Sequence, residues 1–241
     1  MYFEAPGEDH SETNTSPVPV QNGYITYTDT FTCLGSKVTH NLDDRIDVEA
    51  RKKQATKALG AMMKNVFNNP HLEVKTKRML YLAIPVNLLL WGSETWALKE
   101  TDWRSLQVFH TKAIRKILGI SMTQVEHQRI TNIQILHTFQ IESIRDIAYS
   151  RQLRWIGKIA RMGYNRMPRK MLFCWLNDSR PVGRPLTTIH HTYLDALRRI
   201  KAIKNDDVCG KVQDWFPLAR NEIEWEKVRG RLLSRDRESG D

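Results

Sequence analysis

The chain has 241 residues, 41% apolar and 27% charged, a composition that supports a folded core and excludes a disordered tail, a collagen or a membrane bundle. Its formal charge of +10 is unevenly distributed. The first thirty residues hold Glu4, Glu8, Asp9, Glu12 and Asp29 and no Lys or Arg, so everything after Thr30 carries +15.

Residues 4–17 are acidic, polar and aperiodic and read as a loop; Met1 to Asp9 have neither the basic nor the apolar region of a secretory signal. From Val18 to Val38 β-branched and aromatic residues surround Asn22-Gly23, which predicts a short β-hairpin. After Asn41 the apolar period becomes helical. Ile46 to Phe67 forms one helix, capped by Asn41 or Asp43 and stopped at Asn68-Asn69-Pro70. Leu72 to Trp91 is a second, apolar all round and so expected to be buried, kinked or divided at Pro85; its longest apolar run falls short of the roughly 20 residues a membrane span needs.

A third helix opens at Thr101 or Asp102, buries Trp103, Leu106, Phe109, Ala113, Ile114 and Ile117, and stops at Gly119. A weaker one covers Gln124 to Leu136 and a long one Ile141 to Met162. Pro168, Pro181, Gly183 and Pro185 interrupt the pattern, followed by helices near Thr188 to Ile200 and Leu218 to Leu233. The fold class is therefore mainly α, with a short N-terminal β-hairpin, a multi-helix thumb-like bundle and a basic helical extension.

Basic charge is concentrated late in the chain. Residues 151–201 hold twelve Lys and Arg against Asp178 and Asp195, the density that favours a polyanion partner through counterion release; the alternative is a solvated helical face. Within the long helix Arg151, Arg154, Lys158 and Arg161 recur at steps of three and four and share one stripe, about 15 Å long at 1.5 Å per residue, with Trp155 and Ile156 turned toward the core. Arg166, Arg169, Lys170, Arg180 and Arg184 are the next candidates.

Catalytic constellations are not assembled. The adjacent pairs Asp43-Asp44 and Asp206-Asp207 stand at predicted helix starts, where carboxylates cap, and His190-His191 lacks the Glu of a zinc-binding H-E-x-x-H helix. Phosphate-cradling and nucleophile-elbow motifs are absent. Cys33, Cys174 and Cys209 are odd in number and scattered, which points to a reducing, intracellular setting rather than disulfides or zinc. No catalytic residue, metal ligand or cofactor is assigned to this chain.

Six strings in order resemble the region downstream of the catalytic palm in non-LTR (LINE-type) retrotransposon reverse transcriptases. FTCLGSKV at Phe31 to Val38 is similar to that family's F-x-Y-L-G-S segment and WGSETWALK at Trp91 to Lys99 to its Y-G-S-E-T-W segment. FHTKAIRKILGI at Phe109 to Ile120 and LRWIGKIARM at Leu153 to Met162 are similar to its R-x-I-L-G-I and L-R-W-x-G-H-x-x-R-M blocks, while VGRP at Val182 to Pro185 and ARNEIEWEKV at Ala219 to Val228 are similar to its later G-R-P and A-x-x-R-x-x-W blocks. Cys33 and Trp91 replace the family's Tyr, and Lys158 replaces its His.

The resemblance implies the C-terminal part of such a polymerase. Residues 1–40 would be the end of the palm, 41–120 a thumb-like domain and 121–241 the basic extension. The fingers and palm, which would hold the aspartates and Mg²⁺, would precede it. Phe31, Leu34, Gly35 and Ser36 would form a primer-grip hairpin, although Gly35 is equally a simple bend residue. Lys52, Lys53, Lys57 and Lys64 would meet the template-primer duplex from the thumb, with Trp91, Trp96 and Trp103 packing between helices. Implied partners are RNA, DNA and the fingers-palm part, with no membrane, in the nucleus. The alternatives are a stand-alone helical nucleic-acid-binding protein and a non-functional retrotransposon relic.

Overall fold

The computed structural model describes residues 17–26, 28–39, 43–173, 189–200 and 212–238. The acidic leader to Ser16, Asn41, Cys174, Arg180, the VGRP string, Cys209 and Asp206-Asp207 lie outside the described residues, as do the side chains of His190 and His191.

The fold is mainly α. Among the described residues strand is confined to two antiparallel hairpins, β1 (Val18–Val20) with β2 (Gly23–Ile25) and β3 (Thr30–Cys33) with β4 (Ser36–Thr39). The expected turn at Asn22-Gly23 is offset by one residue. Val20 pairs with Gly23, so Gln21 and Asn22 make the turn and Gly23 opens β2. The second turn is Leu34-Gly35, both at positive φ (48° and 85°), the backbone sign that matches the twist of a two-residue hairpin.

Helix α1 (Arg45–Met62) runs into a widened turn, Met63–Phe67, closed by Asn68 N–H donating to Met63 O at 2.9 Å, five residues back. Asp43 and Asp44 serve helix entry and tertiary attachment: Asp43 accepts from Arg45 N–H at 3.0 Å, and Asp44, whose pKa burial pushes up, accepts from Ala97 N–H at 2.8 Å. The segment expected as one buried helix is α2 (Val74–Tyr81), a second widened turn Leu82–Val86 containing Pro85, and α3 (Asn87–Leu89). Tyr81, Val86, Leu89 and Leu90 are buried, but Val74, Met79, Ile84 and Trp91 are exposed, so this helix is one-sided rather than buried all round. After a short 3₁₀ turn (Ser93–Thr95), α4 (Glu100–Leu118) buries Trp103, Leu106, Ala113, Ile114 and Ile117 and ends at Gly119, at φ +70°. Phe109 is only half-buried, since His110 takes the inward position.

The weak helix expected over Gln124 to Leu136 is two helices, α5 (Met122–His127) and α6 (Asn132–Phe139). Reciprocal capping boxes, Ser121 with Gln124 and Thr131 with Gln134, open them. Helix α7 (Ile144–Arg161) is the axis of the second half, packing against α4, the 3₁₀ turn, α9 (Ile189–Arg199), α10 (Val212–Arg220) and α11 (Glu222–Glu238). α8 (Met167–Phe173) follows it. The last helix expected over Leu218 to Leu233 is divided at Asn221 into α10 and α11. One apolar core runs from Val48 to Leu232. Helices α7 and α11 meet closely at Gly157, where a Cβ would lie 2.3 Å from Trp225 Nε1; that buried indole donates to Leu153 O at 2.8 Å.

Candidate nucleic-acid interface

The β3–β4 hairpin is held to α1 by side chains one helical turn apart. Buried Asp47 accepts from Lys37 N–H (2.8 Å) and Trp96 Nε1 (3.3 Å), and its Oδ1 lies 3.5 Å from Arg51 Nε. Arg51, also buried, donates through Nη2 to Gly35 O and, at 3.1 Å, to Ser36 Oγ. The hairpin tip thereby rests on the turn that follows α3. A Cβ at Gly35 would stand 4.0 Å from Trp91 Nε1, and one at Gly92 (φ +77°) would stand 3.0 Å from Ser36 Oγ. Two glycines are thus required where two turns meet. Gly35 and Ser36 are occupied in this contact, whereas Phe31 and Leu34 are exposed, Leu34 at 91%.

The same turn receives α7 on its other side. Arg151 Nη1 donates to Leu90 O at 3.2 Å and Nη2 to Asn87 Oδ1. Burial lowers the Arg151 pKa, opposed by the nearby Glu94 charge. At the far end of the stripe Arg161 donates to Ala219 O (3.0 Å) and pairs with Glu222 (3.1 Å), fixing α10 and α11. The two middle cations differ: Arg154 and Lys158 are exposed and form no ion pair among the described residues. They line a recess of about 230 Å³ together with Asn87, Glu94, Arg151 and Trp155.

The stripe is therefore continuous in sequence but divided in space, with its ends tying helices together and its middle facing solvent. On α1, Lys52 is bound to Glu49 (2.9 Å) and Ser105 (2.8 Å), while Lys53 and Lys57, and Lys64 in the widened turn that follows, are exposed. Trp96 and Trp103 are buried, as expected of core residues; Trp91 is 55% exposed beside the hairpin tip. The sequence placed it in the interior with Trp96 and Trp103; the helix ends before it, and the adjacent Gly92, at φ +77°, was the available signal. Of the next candidates, Arg166 and Lys170 are exposed. Arg169 is buried, with its guanidinium 4.0 Å from the Tyr164 ring centroid.

Arrayed this way, the surface offers two exposed cations, a carboxylate and a partly open indole in one recess, with a second indole at the neighbouring turn. Such groups bind phosphates and stack on bases. Among the described residues no group of His, Cys, Asp and Glu converges as a metal site, and no helix is long and apolar enough to cross a membrane. No family profile and no solved structure matches the chain. Over 200 residues, covering 82% of this chain and 68% of the relative, it is 26% identical to a transposon-derived protein of Caenorhabditis elegans.

Proposed function

We propose that the chain is a nucleic-acid-binding segment descended from the C-terminal part of a LINE-type reverse transcriptase, gripping RNA or DNA through phosphates and lacking polymerase chemistry of its own. Arg154 and Lys158 are the central contacts, with Trp91 and the exposed Lys53, Lys57 and Lys64 as further ones. Its partner would be the fingers-palm part, which would supply Mg²⁺ and the aspartates, and its place of action the nucleus. The carrying observation is the recess on α7, where Arg154 and Lys158 stand exposed beside Trp155, unlike Arg151 of the same recess, which is bound to Leu90 O and Asn87. Likeness to a transposon-derived protein supports a mobile-element ancestry, and the ordered strings from Phe31 to Val228 support the polymerase lineage.

The test is the salt dependence of binding to an oligonucleotide. Replacing Arg154 and Lys158 together by Gln keeps helix propensity near the original and removes two phosphate contacts. The slope of log affinity against log salt should fall in magnitude by about 1.5, at 0.7–0.9 per contact. An unchanged slope in the folded double variant refutes the assignment of these two residues.

A further inference from the structure

Glu94 is the acid in the wall of the recess, and a site for phosphate alone gives it no role. Its backbone is fixed: Tyr193 Oη donates to Glu94 O at 2.8 Å, and Gln152 Nε2 donates to Ser93 O at 2.9 Å. Its side chain is half-buried and forms no ion pair among the described residues, although Arg151, Arg154 and Lys158 line the same recess. The Asn87 amide offers little competition, since its Oδ1 accepts from Arg151 and its Nδ2 donates to Ala83 O at 2.9 Å. What remains is one carboxylate that feels the Arg151 charge but accepts no hydrogen bond among the described residues, two exposed cations at the rim and the half-buried Trp155 ring.

A carboxylate repels phosphate and accepts from paired N–H donors. Guanine presents two adjacent donors, N1–H and the N2 amine, on one edge. Adenine and cytosine place their amine beside an acceptor nitrogen, and thymine or uracil has one N–H between two carbonyls. The recess, at about 230 Å³, is smaller than the roughly 300 Å³ at which small-molecule pockets begin, so it suits one base rather than two. The geometry points to a base-reading pocket for single-stranded nucleic acid: one guanine enters the recess, donates to the Glu94 carboxylate and lies against Trp155, while its flanking phosphates meet Arg154 and Lys158. This rests on the nucleic-acid-binding reading of the same face and adds to it a preference among bases.

The test titrates the full chain with labelled oligothymidylate twelve-mers, at one salt concentration, carrying a single central guanine, hypoxanthine or adenine or left unsubstituted. The guanine oligomer should bind about tenfold more tightly than the unsubstituted one, with hypoxanthine, which lacks the N2 amine, in between. Glu94→Gln, whose amide accepts at one atom only, should abolish the guanine advantage and leave the unsubstituted oligomer bound at least as well. Equal affinity for all four oligomers overturns the base pocket while leaving the phosphate-gripping reading in place; no binding to any oligomer overturns both. A guanine preference that persists in folded Glu94→Gln overturns the role of Glu94. Should that variant misfold, the contrast between guanine and hypoxanthine in the unaltered chain decides.

Discussion

Two residues, one in the core and one at the surface, show how local chemistry sets behaviour. His110 is fully buried. Its Nε2 lies 3.1 Å from Glu142 O, which can only accept, so Nε2 carries the proton and Nδ1 accepts from the Tyr81 hydroxyl at 3.0 Å. Burial holds the His110 pKa down at about 4, against about 6.5 when unfolded. The neutral form is the one the fold retains, so its contribution is complete above about 6.5 and is lost as pH falls toward 4. Urea unfolding at pH 7 and pH 4 should show the unaltered chain losing about 3 kcal/mol more than His110→Gln, which keeps polar atoms but does not titrate. Leu34 poses the opposite case, an exposed residue whose Cβ is carried at φ +48°. An L side chain there costs about 1–2 kcal/mol, which Asn relieves in part, so Leu34→Asn should stabilise the chain by about 0.5–1 kcal/mol in the same assay.

Among elements, α7 carries the most consequence. Its Gly157 admits the Trp225 indole of α11, and Gly157→Ala should cost at least about 2 kcal/mol because the indole cannot retreat without breaking its bond to Leu153 O. A loss under about 0.5 kcal/mol would show that α11 is free to shift. The helices were largely legible in the sequence: the periodic apolar positions on α4 and α7 are mostly buried and Gly119 stops α4 as expected, whereas α1 leaves Ile46 exposed and buries Asp47, Val48, Arg51, Ala55 and Leu59 instead. The divisions were not legible from period alone, since Gln128–Thr131 carries neither Gly nor Pro to mark a break and Ile130 keeps an apolar position between the two halves. The signal there was S-x-x-Q at Ser121 and T-x-x-Q at Thr131, which periodicity does not weigh. The cation stripe shows the other limit. Spacing places Arg151, Arg154, Lys158 and Arg161 on one face, but it cannot say that Leu90 O and Ala219 O will approach its two ends. Arg151→Gln should therefore lower stability by about 1–3 kcal/mol, as expected when a guanidinium bond to buried backbone is removed, whereas Lys158→Gln should change it by less than about 0.5 kcal/mol.

For the whole molecule, a net charge of +10 overstates the charge available to a polyanion. Arg51, Arg145, Arg151, Arg161, Arg169, Arg199 and Arg229 are committed to carboxylates, carbonyls, hydroxyls or aromatic rings of the same chain. The widened turn at Leu82–Val86 has a different consequence, concerning length. A turn closed five residues back holds one residue more than an α-turn, and here the surplus includes Pro85, which has no N–H to donate. Deleting Pro85 would tighten this turn into ordinary helix and keep α2 and α3 in phase, with Asn87 still under Arg151 and Trp91 still beside the hairpin. The same one-residue deletion in the middle of α4 would rotate everything after it by about 100° and misdirect its buried face. The chain is thus expected to tolerate a frame-preserving codon loss at Pro85 and to reject one at Gln107.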